Sequence, residues 1–109
     1  MSTLRVAVLG GGSFGTVIAN LAASNGHTTT LWLRDPEQLA DMRASHENTR
    51  YLPGFSLCPD LQFSDDLLTT VGNADLIFVS IPSKAFRSVI TAAKPALRPD
   101  HMLVSTTKG

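Results

Sequence analysis

Short apolar runs alternate along the chain with segments that carry apolar residues at helical spacing. The apolar runs predict five β-strands, at residues 5–9, 28–33, 61–63, 75–81 and 101–106. The intervening segments predict helices at 13–25, at about 36–46, in a short stretch ending near 72, and at about 83–94. Residues 47–60 contain Pro53, Gly54 and Pro59 and are predicted to form a loop.

Polar residues at the helix starts support these boundaries. Asp35 precedes a proline and an acid and is expected to cap the second helix rather than to serve a ligand. Asp65 or Asp66 is expected to cap the third helix, and Ser83 the fourth. Gly26 is a favourable residue for ending the first helix.

The apolar residues also predict which faces are buried. In the first helix the spacing indicates one apolar stripe, formed by Val17, Ile18, Leu21 and Ala22. The run "DLIFVSI" at 75–81 is typical of a strand buried on both faces, and Trp32 and Phe78 are expected in the core.

Alternating strands and helices predict an α/β fold of the Rossmann type, a doubly wound parallel sheet. Right-handed crossovers favour the strand order 3-2-1-4-5. In such sheets ligands bind beyond the carboxyl ends of the strands, where the strand order reverses. Here that place is the end of the first strand, next to the end of the fourth.

The sequence "GGGSFG" follows the first strand and matches the dinucleotide fingerprint through Gly10, Gly12 and Gly15. Gly10 is expected to permit the turn, Gly12 to let a pyrophosphate approach the backbone, and Gly15 to let the helix pack closely. The free N–H groups near Ser13 and Phe14 are then expected to face the phosphates. The motif lacks the Gly-Lys-Ser/Thr ending of a P-loop, which disfavours a simple NTPase.

The end of the second strand bears on the choice of cofactor. An acid there is typical of NAD sites, because it binds the ribose hydroxyls, whereas an arginine suits the 2′-phosphate of NADP. The chain offers Arg34 followed by Asp35. With Asp35 assigned to capping, Arg34 favours NADP and leaves NAD open.

Composition narrows the remaining function classes. The 109 residues suit one domain, and 43% hydrophobic residues suffice for a core. A formal net charge of zero gives no indication of a nucleic-acid or membrane partner. The single cysteine, Cys58, excludes an intrachain disulfide framework and fits a cytoplasmic location, and the three histidines share no metal-binding spacing.

Five segments together resemble the NAD(P)-dependent glycerol-3-phosphate dehydrogenases, especially the bacterial type. They are "GGGSFGT", "NGHTTTLWLRDPE", "HENTRYLPG", "ADLIFVSIPSKAF" and "TTKG", in the family's order. The glycine motif alone is shared by many oxidoreductases, whereas "RYLPG" and "TKG" are more specific.

The resemblance implies reversible hydride transfer between NAD(P)H and dihydroxyacetone phosphate, giving sn-glycerol 3-phosphate for phospholipid synthesis. It implies that Ser13 and Phe14 contact the cofactor phosphates and that Arg34 and Tyr51 lie at the adenosine end. Lys108 of "TKG" would touch both the nicotinamide side of the cofactor and the small phosphorylated substrate. Family members more often have tryptophan or tyrosine at Phe14, a change that keeps the aromatic ring.

The family has a second, helical domain that supplies the general-acid/base lysine and the phosphate pocket for the substrate. We therefore expect residues 1–109 to be a truncated NAD(P)-binding domain without catalytic residues of its own, weak in binding and inactive alone. The full-length protein is compatible with a homodimer. Two alternatives stay open: another NAD(P) oxidoreductase of the same superfamily, and a non-catalytic dinucleotide-binding module.

Overall fold

The computed structural model describes residues 3–105, which form one parallel sheet with helices on both faces. The strands are β1 (Arg5–Leu9), β2 (Thr28–Trp32), β3 (Gln62–Ser64), β4 (Leu76–Val79) and β5 (Met102–Ser105). Their order is β3-β2-β1-β4-β5, and all four pairings are parallel. The predicted doubly wound architecture and strand order are confirmed.

Four α-helices connect the strands: α1 (Ser13–Ser24), α2 (Pro36–Ser45), α3 (Leu67–Gly72) and α4 (Ser83–Ala93). A 3-10 turn at Lys94–Ala96 extends α4. Each predicted helix is present, with ends within one or two residues of those expected. None of the helices within residues 3–105 combines the length and the apolar character that crossing a bilayer requires.

The carboxyl ends of the three central strands lie side by side. Leu9 at the end of β1 is in register with Trp32 of β2 on one side and with Val79 of β4 on the other. The loops that follow these strands therefore meet at one edge of the sheet. This is the predicted site where the strand order reverses.

The core has two halves, one on each face of the sheet. One half packs α1 and α2, with Met42 of α2, against strand side chains such as Val8 and Leu31. The other packs α3 and α4 against Ile77, Val79 and their neighbours. Consecutive residues of β1 alternate between the two halves, as the two-residue period of a strand requires.

The buried face of α1 differs from the predicted stripe. Its buried residues are Gly15, Thr16, Ala19 and Ala23, whereas Leu21 is 57% exposed. The helix lies so close to the sheet and the glycine loop that only small side chains fit between them. Of the predicted stripe, Ile18 and Ala22 are half-buried and pack against the edge of this core, and Val17 is also half-buried, so the apolar pattern identified the buried face only in part.

Two further expectations need correction. Ser83 does not cap α4, because it is the first helical residue and Pro82 occupies the N-cap position without a side-chain hydrogen bond. β4 is fully buried on one face only: Ile77 and Val79 are buried, but Leu76 and Phe78 are half-buried. On that second face Leu76 and Phe78 pack against the edge of the cluster that contains α1 and border an open groove beside it. By contrast, Asp66 caps α3 as expected.

Candidate functional site

Gly10 lies where the carboxyl ends of β1, β2 and β4 meet. Its N–H donates to the Trp32 carbonyl oxygen at 2.9 Å, while the Ser80 N–H donates to the Leu9 carbonyl oxygen at 2.8 Å. The backbone has φ +125° at Gly10, and a Cβ there would lie 1.9 Å from the Ser80 carbonyl oxygen. A side chain is therefore excluded both by backbone conformation and by the neighbouring strand.

Gly15 serves the contact between α1 and the loop before it. A Cβ at this position would lie 2.3 Å from the carbonyl oxygen of Gly10, a rigid backbone atom. The absence of a side chain lets the first turn of α1 pack directly on the turn that leaves β1. This is the close-packing role that the fingerprint predicts for its third glycine.

Gly12 has a different environment from the other two motif glycines. Within the described residues 3–105, a Cβ at Gly12 would meet no atom within 4 Å. Gly12 is also the N-cap of α1 and offers no side-chain cap, so the first-turn N–H groups lack the usual capping partner. Ser13 and Phe14, the first two helical residues, are both exposed. The positive end of α1 thus opens onto free space in front of bare backbone.

An open cleft of about 370 Å³ extends from the glycine loop across the carboxyl ends of the strands. It is lined by the loop after β1, the end of β2, the segment after β4 and one side of α4; among its residues are Gly12, Arg34, Tyr51, Ile81 and Val89. A larger cleft of about 500 Å³ is lined by Arg5 and Thr28, which begin their strands, and by α3. This larger cleft contains neither a helix start nor the glycine loop. We therefore assign the site to the smaller cleft beside the glycine loop.

Arg34 follows β2 and reaches across the cleft. Its guanidinium carbon lies 5.9 Å from the centroid of the Trp32 ring, and its Nη2 donates to Ser88 Oγ of α4 at 3.3 Å. Arg34 thus lines the same cleft as Gly12, with its guanidinium group held between Trp32 and α4. Trp32 is buried, as predicted, and supports this arginine.

Asp35 caps α2, as predicted. Its Oδ1 accepts from the N–H groups of Glu37 at 2.9 Å and Gln38 at 3.5 Å. Its Oδ2 accepts from Arg50 Nη1 at 2.5 Å. The hydrogen bond from Arg50, followed by that from the Glu37 backbone, holds the pKa of the Asp35 carboxyl below its usual value. The carboxylate is therefore charged and engaged at both oxygens.

The two remaining residues suggested by the resemblance differ in how they are placed. Tyr51 lines the cleft beside Arg50, with its side chain half-exposed and its N–H donating to Asn48 Oδ1 at 3.2 Å. Lys108 lies outside the described residues 3–105, so its position is not part of this geometry.

A buried polar network behind the glycine loop was not predicted. The side-chain nitrogens of Gln38 and Asn48 both donate to the Gly11 carbonyl oxygen, at 2.7 and 2.9 Å. Asn48 Nδ2 also donates to Thr16 Oγ1 at 2.8 Å, and the Thr16 hydroxyl donates to the Gly12 carbonyl oxygen at 2.7 Å. These bonds give the carbonyl oxygens of Gly11 and Gly12 partners within the protein. The signal for this network in the sequence was weak, since Asn48 is one polar residue among several in the predicted loop 47–60.

The sheet order, the glycine loop at the switch point and the open helix start together define a Rossmann-type dinucleotide-binding domain. Comparison with known families agrees: the family model described as the N-terminus of NAD-dependent glycerol-3-phosphate dehydrogenase matches residues 5–109. The chain belongs to this family. The match therefore favours the cofactor-binding domain of a glycerol-3-phosphate dehydrogenase over the two alternatives drawn from the sequence, another NAD(P) oxidoreductase and a non-catalytic dinucleotide-binding module.

Individual relatives agree with the family assignment. The chain is 48% identical over 108 residues to a glycerol-3-phosphate dehydrogenase [NAD(P)+] of Saccharophagus degradans, covering 99% of this chain and 30% of that protein. It is 53% identical over 104 residues to the protein of the same name from Azotobacter vinelandii, covering 95% and 30%. The crystal structure of glycerol-3-phosphate dehydrogenase from Coxiella burnetii superposes with a TM-score of 0.92 at 33% identity, covering 98% of this chain and 33% of that one. The chain thus spans about a third of the length of these relatives.

Proposed function

We propose that this chain is the cofactor-binding domain of a glycerol-3-phosphate dehydrogenase and holds NADP or NAD in the cleft at the carboxyl ends of the strands. The bound nicotinamide would supply or accept the hydride in the reversible reduction of dihydroxyacetone phosphate to sn-glycerol 3-phosphate, a precursor of phospholipids. The family match and the printed names of the relatives support this reaction.

The environment of Gly12 is the observation that carries the proposal. Gly10 and Gly15 lack side chains because neighbouring protein atoms occupy the space, but no atom of the part of the chain that the structure describes explains the missing side chain at Gly12. A glycine that faces open space at a helix N-terminus, with its loop carbonyls tied back, leaves room for an anionic group against the backbone. A pyrophosphate fits this cradle in charge and in shape.

The remaining roles rest on the family resemblance, supported for Arg34 and Tyr51 by their place in the lining of the cleft. Backbone N–H groups at Ser13 and Phe14 would bind the pyrophosphate, and Arg34 and Tyr51 would bind the adenosine end. Lys108 would contact the nicotinamide side of the cofactor and the substrate, where an ammonium group balances phosphate or developing alkoxide charge. We propose NADP as the favoured cofactor, since Arg34 is a cationic group in the lining of the cleft while Asp35 is engaged in capping.

The domain boundary is also part of the proposal. Because the chain spans about a third of its relatives' length, we propose that the general-acid/base lysine and the phosphate pocket lie in further sequence that forms a second domain. A homodimer of the longer protein stays a prediction. Cys58 is a free thiol, which is typical of the reducing cytoplasm, where we propose that the enzyme works.

A matched pair of glycine variants tests the binding site. Gly12→Ala places a Cβ in the proposed phosphate position, whereas Gly72→Ala places one in ordinary contact with Ala96 at 4.0 Å, at the end of α3. Titration calorimetry with NADPH should show reduced affinity for Gly12→Ala and unchanged affinity for Gly72→Ala. Equal affinity of Gly12→Ala and the unsubstituted chain would place the cofactor elsewhere.

A turnover assay tests the domain assignment. The chain mixed with NADPH and dihydroxyacetone phosphate should show no steady loss of nicotinamide absorbance above a blank. Steady turnover would contradict the assignment of the acid–base group to a second domain, while leaving the binding proposal intact.

A further inference from the structure

We propose that Arg50 sets the preference for the 2′-phosphate of NADP by acting through Asp35, as a residue that neutralises and positions that carboxylate. The inference rests on the proposed function, because it concerns the adenosine end of the same cleft. Arg50 is thus a second determinant of cofactor specificity beside Arg34, the one that was predicted from the sequence.

Asp35 stands at the place where the fold usually carries the acid that binds a ribose diol, shortly after the end of β2. In this chain its Oδ1 accepts hydrogen bonds from the first N–H groups of α2, and its Oδ2 accepts one from Arg50 Nη1 at 2.5 Å. A ribose hydroxyl would have to compete with a guanidinium for the outer oxygen. The acid is present but is not free to select NAD.

The charge balance of this end of the cleft depends on Arg50. Arg34, Asp35 and Arg50 all line the cleft. With Arg50 in place, its charge cancels that of Asp35, and Arg34 leaves one net positive charge for a phosphate. Without Arg50, the remaining pair would be neutral overall and would present an uncompensated carboxylate oxygen to the 2′-phosphate.

The backbone holds Arg50 in position. The loop after α2 is tied down on both sides of this residue, since Leu52 N–H donates to the Asn48 carbonyl oxygen at 2.8 Å and Tyr51 N–H donates to Asn48 Oδ1 at 3.2 Å. Asn48 is itself fully buried. Arg50 therefore extends from an anchored turn towards Asp35, 15 residues earlier in the chain.

The test measures NADPH and NADH affinity in parallel for Arg50→Gln. The ratio of NADPH to NADH affinity should fall roughly tenfold, the order of the repulsion between one exposed carboxylate and a nearby phosphate. The matched control is Arg5→Gln, which removes an exposed Arg–Asp pair with Asp75, away from the cleft. The control should leave the ratio unchanged, and both variants should unfold at nearly the temperature of the unsubstituted chain, because both arginines are exposed.

The same substitution in an Asp35→Asn background distinguishes action through Asp35 from direct contact with the phosphate. Asparagine caps a helix as well as aspartate does but carries no charge to neutralise. Arg50→Gln should then have little further effect on the affinity ratio. A full effect of Arg50→Gln in this background, or no effect in the original chain, would overturn the proposal.

The outcomes separate this inference from the proposed function. If the unsubstituted chain binds both dinucleotides and Arg50→Gln leaves their ratio unchanged, only the role of Arg50 is wrong. If the unsubstituted chain binds neither NADPH nor NADH, the proposed function fails, and the inference fails with it.

Discussion

The side-chain nitrogen of Asn48 lies 2.8 Å from Thr16 Oγ1 and joins the loop after α2 to the first turn of α1. Both residues are fully buried. The same nitrogen also donates to the carbonyl oxygen of Gly11. One asparagine thus connects the proposed pyrophosphate loop to the segment that carries Arg50 and Tyr51.

We expect Asn48→Ala to destabilise the fold by about 2–4 kcal/mol, because it leaves buried polar groups unpaired and a small cavity. Urea unfolding followed by Trp32 fluorescence measures this change. Asn73→Ala, at an exposed position after α3, is the control and should cost less than about 1 kcal/mol. Equal losses for the two variants would show that the Asn48 network contributes no special stability.

Gly15→Ala should lower stability more than an ordinary substitution in a helix. The new Cβ would lie 2.3 Å from the Gly10 carbonyl oxygen, so α1 must move away from the loop. Alanine normally favours a helix over glycine by about 1 kcal/mol, and here the sign should reverse. Thermal unfolding beside Gly72→Ala tests this expectation, and a higher midpoint for Gly15→Ala would contradict it.

Acid should destabilise the domain by protonating aspartates whose charged form is hydrogen-bonded in the folded state. Hydrogen bonds from the Thr69 backbone and side chain hold the pKa of Asp66 below its usual value. The pKa of Asp35 is lowered chiefly by its hydrogen bond from Arg50. The pKa of Asp75 is lowered chiefly by its hydrogen bond from the Arg5 backbone. Because the folded state favours the charged form, this stabilisation is complete above the ordinary carboxyl pKa of about 4 and is lost as pH falls through the lowered values.

Thermal midpoints measured from about pH 7 down to about pH 3 should therefore fall less steeply for Asp66→Asn, which keeps a capping oxygen but does not titrate. Asp60→Asn, at an exposed loop position, removes the same charge as a control. If the Asp66→Asn profile ran parallel to that of the unsubstituted chain, the cap would not contribute to the acid response.

The exposed edge strand β5 should promote self-association of this chain. Met102, Leu103 and Val104 are 51%, 49% and 39% exposed, and β5 is an edge strand of the sheet in residues 3–105. Apolar edge strands favour pairing between chains. Sedimentation velocity should show association that rises with concentration and weakens in Leu103→Lys.

Leu68→Lys is the matched control for that experiment, because Leu68 is 46% exposed but lies on helix α3. It should leave association unchanged. A chain that stays monomeric at high concentration, or that responds equally to both lysines, would exclude β5 as the cause.

The features that sequence predicted well are those encoded by local patterns. Strand and helix periodicity gave the element order, and the right-handed crossover rule then gave the order of the strands. The turn at Gly10 and the cap at Asp35 also depend on neighbours within a few residues. Ser83 shows the limit of such signals, since a favourable capping residue one position inside the helix gives the same local pattern.

The features that sequence missed depend on distant partners. Asn48 meets the Gly11 carbonyl 37 residues away, and Arg50 meets Asp35 across the whole of α2 and the start of the loop after it. The buried face of α1 was misjudged for a related reason. How closely α1 approaches the sheet is set by Gly15 against Gly10, and no periodicity of apolar residues reports that distance.

The three motif glycines divide into two kinds, and this division has a consequence inside a living cell. Replacing Gly10 or Gly15 forces backbone atoms together, so such alleles should be recognised by proteases and lost through low abundance. Replacing Gly12 disturbs no neighbour among residues 3–105, so that allele should accumulate normally as an inert protein. Immunoblots of the three alleles would separate the two classes before any ligand is added.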